Sequence, residues 1–363
     1  MKMLIVTRFI HKNYGPWIDI FRAAGHSVTF VTLGKDSLQH PEVMVYNERP
    51  KPLPYFFHKS KVIHSIIGRR LGFRRVNQIL RAAQPDIIIC REMMAVNVEI
   101  SLTSRWLLPK SKVFYYDQEP VTSLSKFRKL ARLFISRRVF TPNCHNYEAE
   151  KLQTVPATVI PFSSDPHISS EEVKKRYTDI EDRKVRLVSI GKLFFEKYNF
   201  DALFDAIDTD HRNKFELLII GQTRASMPDF ERKIDQRAAE INAAGGHVTI
   251  MKNLLHDEVK QRLRDSDVML LPGFDQVASF SQFEGMSFGL PVVICRENGT
   301  AFAVKDGFNG LVTGRDSDSI HKALSTVLEK RFDLVTMGLN SLDRLNTEFS
   351  TKAVTRRFQD LFQ

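Results

Sequence analysis

Cysteine is scarce in this 363-residue sequence: Cys90, Cys144 and Cys295 stand far apart, at no paired spacing. That excludes a disulfide framework and a cysteine-based zinc site. Long apolar runs are also lacking, and nothing approaches the roughly 20 apolar residues of a membrane span. The opening MKMLIVTRFIHK has only a short apolar run before Arg8, whereas a secretory signal needs a longer apolar region and a small-residue cleavage site. The stretch is therefore expected to be a first β-strand and the protein cytoplasmic. Short-period repeats and low-complexity segments are absent too. What is present is a globular composition, 43% hydrophobic and 26% charged, with length enough for two cores.

Acidic residues are scarce in one half only. Residues 1–165 hold 25 Lys and Arg against 12 Asp and Glu, while the remainder holds 28 against 30. The cationic excess belongs to the N-terminal half, which predicts a negatively charged partner facing it. Residues 126–138, KFRKLARLFISRR, set Lys126, Arg128, Lys129, Arg132, Arg137 and Arg138 around Phe127, Leu130, Leu133, Phe134 and Ile135. At helical spacing this is the pattern of a helix lying in a membrane interface. Residues 51–76 mix Tyr55, Phe56 and Phe57 with further lysines and arginines. Anionic head groups attract such clusters by about 1 kcal/mol per basic residue. An anionic membrane surface is the expected partner, with a core helix carrying a solvated cationic face as the alternative. A nucleic-acid partner would rest on basicity alone and is not expected.

Short β-branched runs alternate with amphipathic segments, the rhythm of βα units and parallel sheets. Strands are predicted at 3–7, 27–32, 86–90, 112–116, 138–141 and 157–161, with a helix over 16–25 opened by Pro16 and closed by Gly25. After a charged, poorly apolar stretch at 169–184, a second series runs at 185–190, 215–220, 247–251, 267–271 and 291–295. Each half reads as its own open α/β sheet, with residues 166–184 as the joint. Residues 351–362 are apolar at Val354, Phe358, Leu361 and Phe362, a closing helix able to cross back to the first domain. In open parallel sheets, ligands gather at the carboxyl ends of the strands.

Two segments sit at such ends. Gly191-Lys192-Leu193-Phe194-Phe195-Glu196-Lys197 follows the strand 185–190. Glycine there lets the backbone turn and a ligand approach, and Lys192 and Lys197 suit a diphosphate as charged donors; solvated loop charges are the alternative. The strand 215–220 likewise ends on glycine, Gly221. The segment 272–289, PGFDQVASFSQFEGMSFG, leads into a helix beginning near 279–281, whose free backbone N–H groups suit a pyrophosphate. Glu284 falls about one turn inside. A carboxylate there does not favour phosphate, so it is read as accepting hydrogen bonds from ribose hydroxyls, or else as complementing the helix dipole.

In this order the segments resemble the retaining glycosyltransferases of family four. Gly191, Lys192, Leu193 and Lys197 stand where that family has Gly-Arg-Leu and a following lysine. Pro272, Gln276 and Glu284 keep the spacing of its proline and two glutamates. Residues 285–293, GMSFGLPVV, are similar to its Ala-Met-Ala-x-Gly-x-Pro-Val-Val, and residues 306–312, DGFNGLV, to its later glycine turn. The resemblance is specific over 185–313 and only architectural before it.

It implies the GT-B fold: an α/β protein of two Rossmann-like domains facing across a cleft. Residues 1–165 would bind the acceptor, 166–345 the donor, and 346–363 would form a helix packing back on the first domain. Lys192 and Lys197 would contact the donor diphosphate, Glu284 the ribose, Gln276 the transferred sugar, and the backbone near Phe280 and Ser281 a phosphate. Gly191 and Gly221 end the donor-side strands, and Gly15 resembles a glycine loop facing the donor phosphates. The family's histidine is absent from Tyr115-Tyr116-Asp117-Gln118-Glu119, leaving Asp117 and Glu119 as candidates for contact with the acceptor hydroxyl or removal of its proton, with loop carboxylates capping a neighbouring helix as the alternative. The implied donor is a UDP- or GDP-linked sugar and the acceptor a glycan or lipid-linked molecule, with no metal and no cofactor, on the inner face of a membrane. Two departures stand out. Lys192 in place of arginine loses the bidentate fork, and Gln276 in place of glutamate removes a negative charge beside a developing oxocarbenium ion. A catalytically silent subunit is the alternative that Gln276 suggests.

Overall fold

The computed structural model describes residues 1–7, 14–32, 44–47, 71–91, 95–117, 135, 136, 138–142, 157–208, 211–274, 276 and 278–363. The chain divides into two compact units, Met1–Pro161 with Val354–Gln363, and Phe162–Ala353.

The first unit is built on seven parallel strands: β1 (Lys2–Thr7), β2 (Ser27–Thr32), β3 (Met44–Asn47), β4 (Ile87–Arg91), β5 (Lys112–Tyr116), β6 (Val139–Thr141) and β7 (Ala157–Val159). Their order is β3-β2-β1-β4-β5-β6-β7, so the chain reverses direction across the sheet between β1 and β4. Runs such as KMLIVT are buried on both faces, as a sheet covered on two sides requires. Helices α1 (Gly15–Ala23), α2 (Phe73–Ala83) and α3 (Ala95–Leu107) supply cover. Trp17 on α1 is a hub: its ring lies 4.5 Å from Tyr116, 5.6 Å from Phe140 and 5.4 Å from Phe358. Phe358, with Val354 and Phe362, comes from the last helix, Thr351–Phe362, which buries these three residues in this core. Lys112 Nζ donates to the Phe362 carbonyl at 2.7 Å, a cation placed at a helix C-terminus.

One sequence expectation fails in this unit. Ile135, assigned above to a membrane-facing stripe, is fully buried in the core with Ile100 and Val139. Its carbonyl accepts from Ser101 Oγ and from Arg105 Nη2. The apolar run at 133–135 therefore serves the protein interior at its last residue. Lys126, Arg128, Lys129, Arg132 and Arg137 lie outside the described residues.

The second unit has six parallel strands: β8 (Val185–Lys192), β9 (Phe215–Gln222), β10 (Val248–Lys252), β11 (Val268–Leu271), β12 (Val292–Cys295) and β13 (Gly310–Thr313), in the order β10-β9-β8-β11-β12-β13. The direction of winding reverses between β8 and β11. β8 runs two residues past its predicted end because Gly191 pairs with Gly221 and Lys192 with Gln222. The stretch 166–184 is part of this unit rather than a joint. Helix α4 (Ser170–Arg176) starts on a capping box of Ser169 and Glu172, and Val173, Tyr177 and Ile180 are buried in the core. Their i, i+4, i+7 spacing is a helical stripe diluted by the surrounding charges.

Asp267, just ahead of β11, is the buried carboxylate of this unit, with a fully covered side chain. It accepts from Arg183 Nη1 at 2.6 Å and Nη2 at 3.0 Å, from Arg186 Nη2 at 2.8 Å, and from the Arg186 backbone N–H at 2.8 Å. Its own N–H donates to the Arg186 carbonyl, and its carbonyl accepts from Tyr177 Oη at 2.6 Å. Removing one partner of such a pair leaves uncompensated charge in a dry place. Asp267→Ala is expected to lower unfolding stability by about 3–5 kcal/mol, read from urea titration. A loss under about 1 kcal/mol would show that the clamp is dispensable.

Candidate functional site

In an open parallel sheet the crevice lies outside the carboxyl ends of the strands where the winding reverses. In the second unit those are the ends of β8 and β11. The chain after β8 makes a tight excursion. Leu193 N–H donates to the Gln222 carbonyl at 2.9 Å, a short 3₁₀ turn covers Glu196–Tyr198, and Asn199 then adopts a left-handed conformation with φ of 59° before helix α5 (Phe200–Ile207). Asn199 is a knot between three loops: its Nδ2 donates to the Pro272 carbonyl after β11 (3.1 Å) and to the Arg315 carbonyl after β13 (2.7 Å). Phe274 N–H donates to the Lys197 carbonyl at 3.0 Å, stitching the first two loops directly.

The space above the two strand-end glycines is filled by the protein itself. A Cβ added at Gly191 would collide with Tyr198 and lie 2.9 Å from Phe200 Cζ, and one at Gly221 would collide with Leu193. Both residues let the loop fold down on its own strands.

The charged tips gather on two aromatic rings. Lys192 Nζ lies 5.9 Å from the Phe194 centroid and 5.7 Å from that of Phe195, Lys197 Nζ lies 5.6 Å from Phe195, and Arg224 Cζ lies 5.8 Å from Phe194. Among the described residues none of the three cations has an ion pair. Burial lowers the pKa of Lys192, and the positive charges of Lys197 and Arg224 lower it further. Three neighbouring cations on a partly buried floor, paired with no carboxylate among the described residues, favour an incoming anion. Arg224 was not singled out from the sequence. The signal was its position three residues beyond Gly221, just past the end of β9, the strand that pairs with β8.

Gln276 sits on the same loop system. Its amide lies over Gly273, where a Cβ would collide with Nε2 and stand 2.9 Å from the Lys197 carbonyl. Its carbonyl accepts from Gly299 N–H at 2.7 Å. Phe280 and Ser281 open helix α8 (Phe280–Ser287), whose N-cap Ser279 makes no side-chain cap bond and whose first turn holds no acidic residue. Glu284 lies further along α8 and turns toward α7 (His256–Arg264), with Oε1 3.4 Å from His256 Nδ1. Burial pushes its carboxyl up to about 7, and Lys260 on α7 draws it back. His256 and Lys260 also escaped the sequence reading, because nothing in the residues 256–260 alone points to α8.

In the first unit Gly15 starts α1, with open space where a Cβ would stand. Asp117 follows β5, is buried, and donates its N–H to the Phe140 carbonyl. Arg138 is exposed, with its guanidinium 5.9 Å from the Phe114 ring. Asp275, next to Gln276, lies outside the described residues. No group of three or more His, Cys, Asp and Glu is placed to hold a metal ion among the described residues.

Two Rossmann-like sheets in series, the second with an anion-ready floor at its winding reversal, define the class as the GT-B architecture. Residues 184–330, within the second unit, match the family model described as Glycosyl transferases group 1. The chain is 27% identical over 128 residues to a D-inositol 3-phosphate glycosyltransferase of Stackebrandtia nassauensis, an alignment covering 35% of this chain and 29% of that protein. It thus spans under a third of the length of this curated relative. Among solved structures, the HepE protein of Anabaena in complex with UDP superposes with a TM-score of 0.75 at 14% identity, over 99% of both chains. The apo lipopolysaccharide outer core galactosyltransferase WaaB superposes with a TM-score of 0.70 at 14% identity, over 99% of both chains. These structures share the fold.

The Asn199 knot yields a test. Asn199→Ala loses two hydrogen bonds of about 1 kcal/mol each and strains a left-handed backbone by about 1 kcal/mol. A loss of about 2–3 kcal/mol is expected in denaturant titration. Asn199→Gly, free of the backbone strain, should recover only the smaller share; full recovery by glycine would show that the side-chain bonds contribute nothing.

Proposed function

We propose that the chain is a glycosyltransferase that takes a sugar from a UDP- or GDP-linked donor held by the second unit and moves it, with retention of configuration, to a glycan or lipid-linked acceptor. The observation that carries the reading is the cluster of Lys192, Lys197 and Arg224 at the ends of β8 and β9, without an ion pair among the described residues and inside the stretch that matches the family model. The UDP held by the HepE structure supports a nucleotide donor. The WaaB likeness supports a surface-polysaccharide or lipopolysaccharide acceptor, and the basic N-terminal half supports work at the inner face of a membrane.

The chemistry follows from the charges. As the glycosidic bond to the diphosphate breaks, negative charge grows on the leaving phosphate oxygens. Fixed cations stabilise that growth more than they stabilise the ground state. The open N–H groups at the start of α8 add to the same field. Glu284 receives the ribose hydroxyls in its ionised form. Gln276 holds sugar hydroxyls through its amide, and Asp117 orients the acceptor hydroxyl. A catalytically silent binding subunit is the second reading, favoured by the neutral Gln276.

Calorimetric titration with UDP, GDP and ADP, each against its nucleoside, tests the donor site. One diphosphate should bind far more tightly than its nucleoside. Lys192→Ala should weaken the diphosphate about ten- to hundredfold, as loss of a charge-assisted contact does, and leave the nucleoside unchanged. If no nucleotide binds, the enzyme reading fails.

Glu284 gives a pH test. Its folded pKa, about 7, lies above the ordinary 4.5, so the folded state holds the proton longer than the unfolded chain. Its ionisation therefore costs stability progressively as pH rises from 4.5 through 7. Glu284→Gln should be more stable than wild type by about 1–3 kcal/mol at pH 8 and equal to it near pH 4.5, read from thermal unfolding. Wild-type nucleotide affinity should rise through pH 7 while the variant's stays low and flat. A parallel rise in both would remove Glu284 from the ribose site.

A further inference from the structure

On the outside of the first unit α2 and α3 pack together. Phe73, the first residue of α2, is 55% exposed, and Trp106, in the last turn of α3, is 71% exposed. Their rings lie 6.0 Å apart. Leu102, one turn before Trp106 on the same helix face, is 47% exposed. Large apolar side chains are normal on a surface singly, but a contiguous set marks a binding face.

The surrounding charge has one sign. Arg74, Arg75, Arg105 and Lys110 are exposed beside these residues in sequence. Residues 71–85 contain Arg74, Arg75 and Arg81 and no Asp or Glu, and residues 101–112 contain no Asp or Glu either. Glu99, one turn before Leu102–Trp106 on α3, is engaged by the backbone N–H groups of Leu71 and Gly72 at 2.9 and 3.3 Å. Exposed aromatic side chains flanked in sequence by exposed cations and by no acid match a bilayer interface, where the rings sit at head-group depth and the cations meet anionic lipid. A protein partner of ordinary composition offers no such uniform complement.

We infer that the Phe73–Leu102–Trp106 face is a membrane-docking surface for anionic lipid, a surface distinct from the 126–138 stretch. It deepens the membrane part of the proposed function, and donor binding is measured separately from it. Trp17 and Trp106 are the two tryptophans of the chain, and Trp17 is only 2% exposed. Trp106 therefore reports the event. Vesicles of phosphatidylglycerol with phosphatidylcholine should shift the full-length protein's tryptophan emission to the blue, vesicles of phosphatidylcholine alone should not, and Trp106→Phe should abolish the shift. In co-sedimentation Trp106→Ala should lower vesicle partitioning about tenfold, as loss of a buried apolar side chain does, and Arg74→Ser about fivefold, as loss of one near-surface charge does. Both variants should keep wild-type nucleotide binding and circular dichroism. An unchanged emission spectrum overturns the inference. So does equal partitioning onto neutral vesicles, or binding that survives Phe73→Ala with Trp106→Ala and is lost only when the cations of 126–138 are neutralised.

Discussion

The second unit depends on one saturated carboxylate. The Asp267 side chain is fully covered, a burial that a carboxylate tolerates because two guanidinium groups and a backbone N–H occupy its oxygens. Its position matters more than its strength. It stands at the amino ends of β8 and β11, the two strands between which the winding reverses, and it binds one to the other through both side chain and backbone. Tyr177 ties α4 to the same point. With the amino ends fixed, the carboxyl ends of these strands are free to diverge into loops, and those loops hold the cations.

The two ends of the sheet thus treat charge oppositely. At the amino end the Asp267 carboxylate is answered by Arg183 and Arg186. At the carboxyl end Lys192, Lys197 and Arg224 repel one another across Phe194 and Phe195, with no carboxylate paired to them among the described residues. Such an arrangement costs stability in the empty protein and is offset when an anion arrives. The ring faces lower that cost by meeting each cation with a negative quadrupole. Asn199 makes the cost bearable mechanically, because it fixes the loops after β8, β11 and β13 to one another and the cations cannot simply swing apart into solvent.

Much of the frame was legible in the sequence because it rests on local signals. The closing helix was read from Val354, Phe358 and Phe362, and these are the side chains it buries. β8 and β9 were read from β-branched runs ending in glycine. The glycines themselves were read as room for a ligand, whereas Tyr198, Phe200 and Leu193 occupy that space. Periodicity identifies a strand end but not what lies over it. The stretch 166–184 was read as a joint because its charges conceal Val173, Tyr177 and Ile180. Arg224 and His256 were illegible for a different reason. Each joins the site by strand order or helix packing, across 32 residues from Lys192 in one case and 28 from Glu284 in the other, and no local spacing encodes such a meeting.

The placement of aromatic residues follows the same logic as the charges and separates the two faces of the first unit. Trp17 is enclosed by Tyr116, Phe140 and Phe358, where edge-to-face packing joins α1 to the returning C-terminal helix. Trp106 has one aromatic neighbour among the described residues, Phe73, and is 71% exposed. A core would have recruited a ring of that size, and α3 instead buries Val96 and Ile100 while turning Leu102 and Trp106 outward. Exposed apolar surface of this kind is disfavoured in water unless something apolar covers it during part of the protein's life. Because Arg74, Arg75, Arg105 and Lys110 flank it in sequence as exposed cations, the cover we propose is apolar in depth and anionic at its rim, the profile of a lipid leaflet.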